Sequence, residues 1–330
     1  MATTLTKDLT ENSFENPPRQ RILVGSEGNT WIWSPDGWDL THSADPSSKL
    51  PGRGVHLDCE LVNVKIDPIK TALVIIDMQN IGLNKALEPP SAPPMYEAQD
   101  AILQYAIPAA RKLGLQIIWL NWGLPEDDLA SMPPAEVRVF AFDVNTEKAD
   151  YGLGDRHGDP DDPANFLKCG ERPNLNKLPG TELGEIVLED GSRVNAGRVM
   201  MRGTWNTALH GPLAGAYEEG KKAARPDVWI HKNRNSGLWN EKSAFGEYLK
   251  KEEIRTLLFS GVNTDQCVGA TLQDAHAQGF DTIMLKDGCG TDSLPYAKAT
   301  YEFNCARCWG FLTSCKALAK AAEIVSVNPL

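Results

Sequence analysis

Residues 255–287 read RTLLFSGVNTDQCVGATLQDAHAQGFDTIMLKD. The opening run, RTLLFSG (255–261), is apolar and continuous, as in a strand buried on both faces. Residues 265–278 carry helical spacing and stop at Gly279, and DTIMLKD (281–287) is a second buried strand. A strand, a helix and a strand over this distance describe two parallel strands joined by a helical crossover.

The same alternation extends outward. TALVIID (71–77), LQIIWLN (115–121) and DVWIHK (227–232) read as further strands, and residues 95–113 as a helix ending at Gly114. The segments around 296–306 and 311–322 have helical spacing. The expected class is therefore α/β, an open, mostly parallel sheet with helices on both faces, spanning residues 69–330.

Residues 1–68 form an N-terminal extension. RILVGSEGNTWIWSPDGWDL (21–40) places short apolar stretches between Gly, Asn and Pro-Asp-Gly turn signals, which reads as hairpins that pack on a neighbour. An irregular insertion around 140–200 interrupts the main pattern; YGLGDRHGDPDDPANF (151–166) is typical of it. Long irregular stretches inside compact domains usually serve function or are disordered. The extension and the insertion are the places expected to lid a cleft or to build a homo-oligomer, dimer or tetramer.

Composition narrows the partners. Of 330 residues, 42% are hydrophobic and 23% charged, enough for a well-packed core. The formal net charge of −11 disfavours nucleic acid and anionic membranes as partners. No stretch is apolar enough to span a bilayer, and MATTLTKDLTENSFENPP (1–18) lacks a signal-peptide core. The seven scattered cysteines are an odd number, which fits a reducing cytoplasm better than a disulfide scaffold.

Three polar residues occupy equivalent places in this pattern. Asp77 ends the first strand, Lys232 ends another, and Cys267 lies in the first helical turn after RTLLFSG. Ligands of open α/β sheets bind outside the carboxyl ends of the strands, so the three are expected to converge on one cleft. There a thiolate would be the nucleophile, stabilised by the helix N-terminus and a cation. A carboxylate would take the thiol proton and return it to a leaving amine. Taken singly, each has a plainer reading: Asp77 as a turn residue, Lys232 as a solvated charge, Cys267 as an inert buried thiol. The joint placement favours the chemical one.

The local motifs add a resemblance. At IIDMQN (75–80), KNRNSG (232–237) and SGVNTDQCVGATLQDAHAQGFD (260–281), the chain resembles the isochorismatase-like cysteine hydrolases. The match is strongest at Gly261, Val262, Thr264, Cys267 and Val268 and covers roughly residues 70–125 and 200–325. The pattern is most similar to ureidoacrylate amidohydrolases, biuret hydrolases and N-carbamoylsarcosine amidases.

The resemblance implies a catalytic Asp77–Lys232–Cys267 triad and a cis peptide at Val262–Asn263. That bond would aim the N–H groups of Asn263 and Cys267 at an oxyanion. It further implies thioacyl-mediated hydrolysis of a small carbamoyl, ureido or linear amide. Asn121 and Trp205 carry over as pocket residues. Read from the residues, Gln266 is either a contact for a ureido group or an outward-facing helix residue, and Trp122 and Trp239 are either pocket walls or ordinary core.

Nicotinamidases of this family bind a metal through an Asp and two His after the second strand. Here that place reads LNWGLPEDD (120–128), without histidine. Cys305 and Cys308 have no second cysteine pair. No metal and no cofactor are therefore expected. Two other readings stay open: hydrolysis of an isochorismate-type vinyl ether, and a non-catalytic oligomeric binding protein with a relict site.

Overall fold

A computed structural model of the protein describes residues 21–43, 54–87, 93–141 and 178–327. Its strands, in chain order, are β1 (Ile22–Ser26), β2 (Asn29–Ser34), β3 (Gly37–Asp39), β4 (Val55–Leu57), β5 (Val64–Ile66), β6 (Thr71–Ile76) and β7 (Gln116–Trp122). There follow β8 (Glu185–Val187), β9 (Arg193–Asn195), β10 (Val228–Lys232), β11 (Thr256–Val262), β12 (Asp281–Gly290) and β13 (Phe311–Thr313).

Six of them form a parallel sheet in the order β10-β7-β6-β11-β12-β13. β6, β7 and β11 are buried along their whole length, which is why their sequences are predominantly apolar on both faces. The two-residue period splits them between two cores. Leu73, Ile75, Ile117 and Trp119 face one layer, with Ile102, Ile107 and Leu318 of the helices at 94–113 and Cys315–Val327. Ala72, Val74, Ile76, Ile118 and Leu120 face the other, with Phe245 and Leu249 of helix Ala244–Lys251 and Leu272 of helix Gly269–Ala277. Each fully buried side chain of this kind contributes about 1.5–3 kcal/mol, so the two apolar layers are the main source of stability.

The strand order positions the site. The chain runs from β6 to β7 and later adds β10 on that side, then returns to the other side of β6 with β11 and β12. The direction of winding reverses beside β6, and a crevice opens there at the strands' carboxyl ends. Gly261 makes the close approach possible. Its φ is +114°, and a Cβ there would sit 2.1 Å from the Ile76 carbonyl oxygen.

One expectation needs correction. Phe311–Thr313 is not the start of a helix but the edge strand β13, paired with Ile283–Leu285; the helix begins at Cys315. Periodicity does not separate three apolar residues of strand from one turn of helix. The described part of the N-terminal extension packs on its own chain. Its five strands, ordered β1-β2-β3-β5-β4, place Leu40, Val55, Leu57, Val64 and Ile66 in the same core as Leu73 and Leu318. Buried Asp281, at the start of β12, holds it polar-side down. It accepts from Trp31 Nε1 (2.6 Å) and Thr256 Oγ1 (2.7 Å) and lies 2.8 Å from His42 Nε2. The extension and the sheet thus share one core.

Of the insertion, residues 142–177 lie outside the described residues. Its remainder includes the β8–β9 hairpin and an irregular stretch that hydrogen-bonds back to Leu124. Among the described residues, no helix is long and apolar enough to cross a membrane.

Candidate active site

Asp77 directly follows β6 and has a positive φ of 52°, a left-handed conformation that Asp adopts more readily than most residues. Its N–H still bonds to Leu120 O (3.1 Å), so the residue is held to the end of the sheet. One carboxylate oxygen accepts from the Trp122 N–H (3.2 Å), and the other lies 3.0 Å from Lys232 Nζ. Lys232, the last residue of β10, is 4% exposed. Its ammonium donates to the carbonyls of Arg234 (3.1 Å) and Asn235 (3.2 Å), sits 3.4 Å from Cys267 Sγ and lies 3.7 Å over the Trp122 ring. Burial of such an ion pair is offset in part by the two carbonyls that accept from Lys232 and the Trp122 N–H that donates to Asp77.

Cys267 enters from β11. After Val262 the peptide to Asn263 is cis, and the chain makes one wide helical turn, Thr264–Val268, before the regular helix Gly269–Ala277. In that turn the Asn263 carbonyl accepts from the N–H groups of Gln266 (3.1 Å) and Val268 (3.2 Å). Cys267 Sγ also lies 3.6 Å from Asn235 Oδ1.

The electrostatics follow from burial. Desolvation pushes the Cys267 thiol up to about 12; the Lys232 ammonium pulls it down and the Asp77 carboxylate pushes it further up. Asp77 is also raised by burial, against the lowering effect of Lys232 and of its hydrogen bonds. At neutral pH Cys267 is therefore held as a thiol.

These groups sit at the base of a cavity of about 480 Å³, within the size range of small-molecule sites. Of the residues singled out in the sequence, Asp77, Trp122, Asn263, Gln266 and Cys267 line it, and Lys232 supports it from behind. The Asn263 side chain is tied to the loop behind, donating to Asp292 Oδ1 (2.5 Å) and Thr291 Oγ1 (3.3 Å). Gln266 is exposed at the rim, 3.5 Å from Ser293 Oγ.

Three residues expected in the pocket do not line it. Asn121 alternates with Trp122 along β7, so the two cannot face the same cavity; Asn121 is fully buried and its amide has no hydrogen-bond partner. Trp205 lies in a short turn whose carbonyl accepts from Asn80 Nδ2 (2.9 Å). Trp239, 47% exposed, bonds to Asn233 Oδ1 (3.0 Å) and lines a separate polar pocket of about 210 Å³ with His231, Arg202 and Lys242. His231 accepts there from Trp229 Nε1 (3.3 Å), and burial, with Arg202 nearby, lowers its pKa to about 4.

Two residues matter that the sequence reading had given no role. Gln79, fully buried, clamps the Trp122 peptide from both sides. Its Oε1 accepts from the Trp122 N–H (3.0 Å), and its Nε2 donates to the carbonyls of Trp122 (2.9 Å) and Thr207 (2.7 Å). Asn235 places its side chain against the thiol and its carbonyl on Lys232. Both lie in quoted motifs, DMQN and KNRNSG, but only the contacts reveal their partners. Among the described residues, no group of three or more His, Cys, Asp and Glu side chains could hold a metal ion.

Comparisons with known proteins find partial likenesses. A family model described as the isochorismatase domain matches residues 187–304. Among solved structures, a cysteine hydrolase from Pseudomonas syringae pv. phaseolicola shares the fold, with a TM-score of 0.52 at 16% identity over 78% of this chain and 95% of that one. A nicotinamidase PncA from Bacillus subtilis gives 0.48 at 19% identity, over 74% and 99%. The segment 187–304 is thus similar to the isochorismatase domain, and the chain as a whole shares the fold of these hydrolases. In sequence it is similar to the ureidoacrylate amidohydrolase RutB of Cronobacter turicensis, 23% identical over 269 residues, which cover 77% of this chain and 91% of that protein.

Proposed function

We propose that the protein is a cysteine-dependent amidohydrolase that opens a C–N bond in a small carbamoyl, ureido or linear amide substrate. The amidohydrolase relatives support the reaction class. The observation that carries the mechanism is the grouping of carboxylate, ammonium and sulfur at one crevice, with Lys232 Nζ 3.0 Å from Asp77 and 3.4 Å from Cys267.

Because the thiol is protonated at rest, it needs a base at the moment of attack. Asp77 takes the proton as the Cys267 sulfur bonds to the substrate carbonyl carbon and the C=O electron pair moves to oxygen. The backbone N–H groups of Asn263 and Cys267 receive that oxyanion. As the C=O re-forms, the C–N bond breaks, Asp77 hands its proton to the departing nitrogen, and ammonia or an amine leaves a thioester. Water then gives a proton to Asp77 and attacks the same carbon; the C–S bond breaks and the proton returns to sulfur. Lys232 offsets negative charge on both Asp77 and Cys267 throughout, and Gln79 and Asn235 position the peptide and the thiol.

The test is ammonia or amine release from a panel of ureides and amides by the parent protein and Cys267→Ala, with intact-mass analysis of the parent under turnover. An acyl adduct on Cys267 and an inactive variant are expected. Undiminished activity in the variant overturns the thiol mechanism, and thiol-independent cleavage of a vinyl ether replaces the reading.

A further inference from the structure

We propose that the substrate is uncharged and carries an apolar group beyond its scissile amide or ureide; this rests on the amidohydrolase reading of the same cavity. Above the polar base, the walls are Ile81, Leu87, Phe140, Leu183, Ile186 and Met200. Phe140 stands edge-on to Trp122, with ring centroids 5.1 Å apart, so an aromatic corner meets the reacting end. No Lys, Arg or His is among the described lining residues.

Among the described lining residues, a substrate carboxylate finds no cationic partner. The nearest cation, Lys232, is spent on Asp77 and on the carbonyls of Arg234 and Asn235. Asp77 itself repels an anion. Of the polar side chains in the lining, Gln79 is committed to the peptide of Trp122 and the Asn263 amide to Asp292 and Thr291, while neutral Gln266 stands at the rim. The cations Arg202 and Lys242 line the separate polar pocket beside Trp239 instead. Burying an unpaired charge is far more costly than burying an apolar group of the same size, so the lining selects by charge before it selects by shape.

Shape-matched pairs test this: p-toluamide against terephthalamate, p-tolylurea against 4-ureidobenzoate, and hexanamide against adipamate. We expect kcat/KM to favour the neutral member by about 100-fold or more. Leu183→Arg, which adds a cation to the wall, should reduce that preference about tenfold, while Leu183→Gln should not. An unaltered thermal transition verifies the fold of both variants. Equal or better turnover of the anionic members, lost in Cys267→Ala, overturns the substrate class and leaves the amidohydrolase reading standing. A preference unchanged in a folded Leu183→Arg protein also overturns it. If no member of any pair is turned over, or turnover survives Cys267→Ala, the reading itself falls and the substrate class with it.

Discussion

The base of the Cys267 cavity is made of strand ends, whereas its walls come from segments outside the sheet. Asp77 follows β6, Trp122 and Lys232 end β7 and β10, and Cys267 follows β11. Phe140 belongs to helix Pro134–Ala141, Leu183 precedes the β8–β9 hairpin and Ile186 lies within it. The base is fixed by the hydrogen-bond ladder of a buried parallel sheet. The walls are fixed by side-chain packing and a few loop contacts, such as the Leu183 N–H to Gly197 O. Substitutions at the base should therefore act on the chemical step, and substitutions in the walls on substrate affinity.

The largest effect is expected from Cys267→Ala, a loss of about 10³-fold or more in kcat/KM with the fold intact, read from steady-state kinetics. A loss below tenfold would put the chemistry elsewhere. The next concerns pH. With the thiol raised to about 12, alkylation of Cys267 by iodoacetamide should be slow at pH 7 and rise about tenfold per pH unit up to pH 10. Peptide mass mapping, with Cys267→Ala as the blank, separates this site from exposed Cys308. A flat profile would mean that the thiolate exists at rest. The same shift has a sign for stability: the folded protein holds the thiol proton more tightly than the unfolded chain. That contribution is complete below the ordinary thiol value of 9.0 and is lost as pH climbs toward about 12.

Lys232→Met leaves the buried Asp77 carboxylate without its partner. We expect a loss of about 3–5 kcal/mol in urea unfolding, together with loss of activity. Gln79→Leu should lower kcat about 10- to 100-fold with KM little changed, since the Gln79 amide is bonded to the Trp122 peptide and its loss frees that peptide. Gln79→Glu, which keeps the acceptor for the Trp122 N–H, should fall between. On the wall side, Phe140→Ala should raise KM about tenfold and leave kcat within about twofold; a reversed pattern would dissolve the division between base and walls.

The legibility of the molecule follows the same line. Five of the six strands of the parallel sheet could be read because each holds an apolar run within a stretch of five residues or more, and the sixth, β13, could not because it is three residues long. The grouping at the crevice was visible because strand ends in a parallel sheet share one edge. The pocket residues were less so. Trp122 lines the cavity, but Trp239 turns to Asn233 and a different pocket, and its composition gave no sign of which. Asn121 was readable in principle, since alternation along β7 sets it opposite Trp122.

The sequence by itself determined the layered α/β fold and the residue types available for chemistry, because burial and periodicity are local properties of a chain. Only the tertiary structure decided that Lys232 is fully engaged, that Gln79 holds the Trp122 peptide and that apolar side chains from outside the sheet close over Cys267. Those facts depend on contacts between residues that lie tens to hundreds of positions apart, and a linear pattern does not encode such distances.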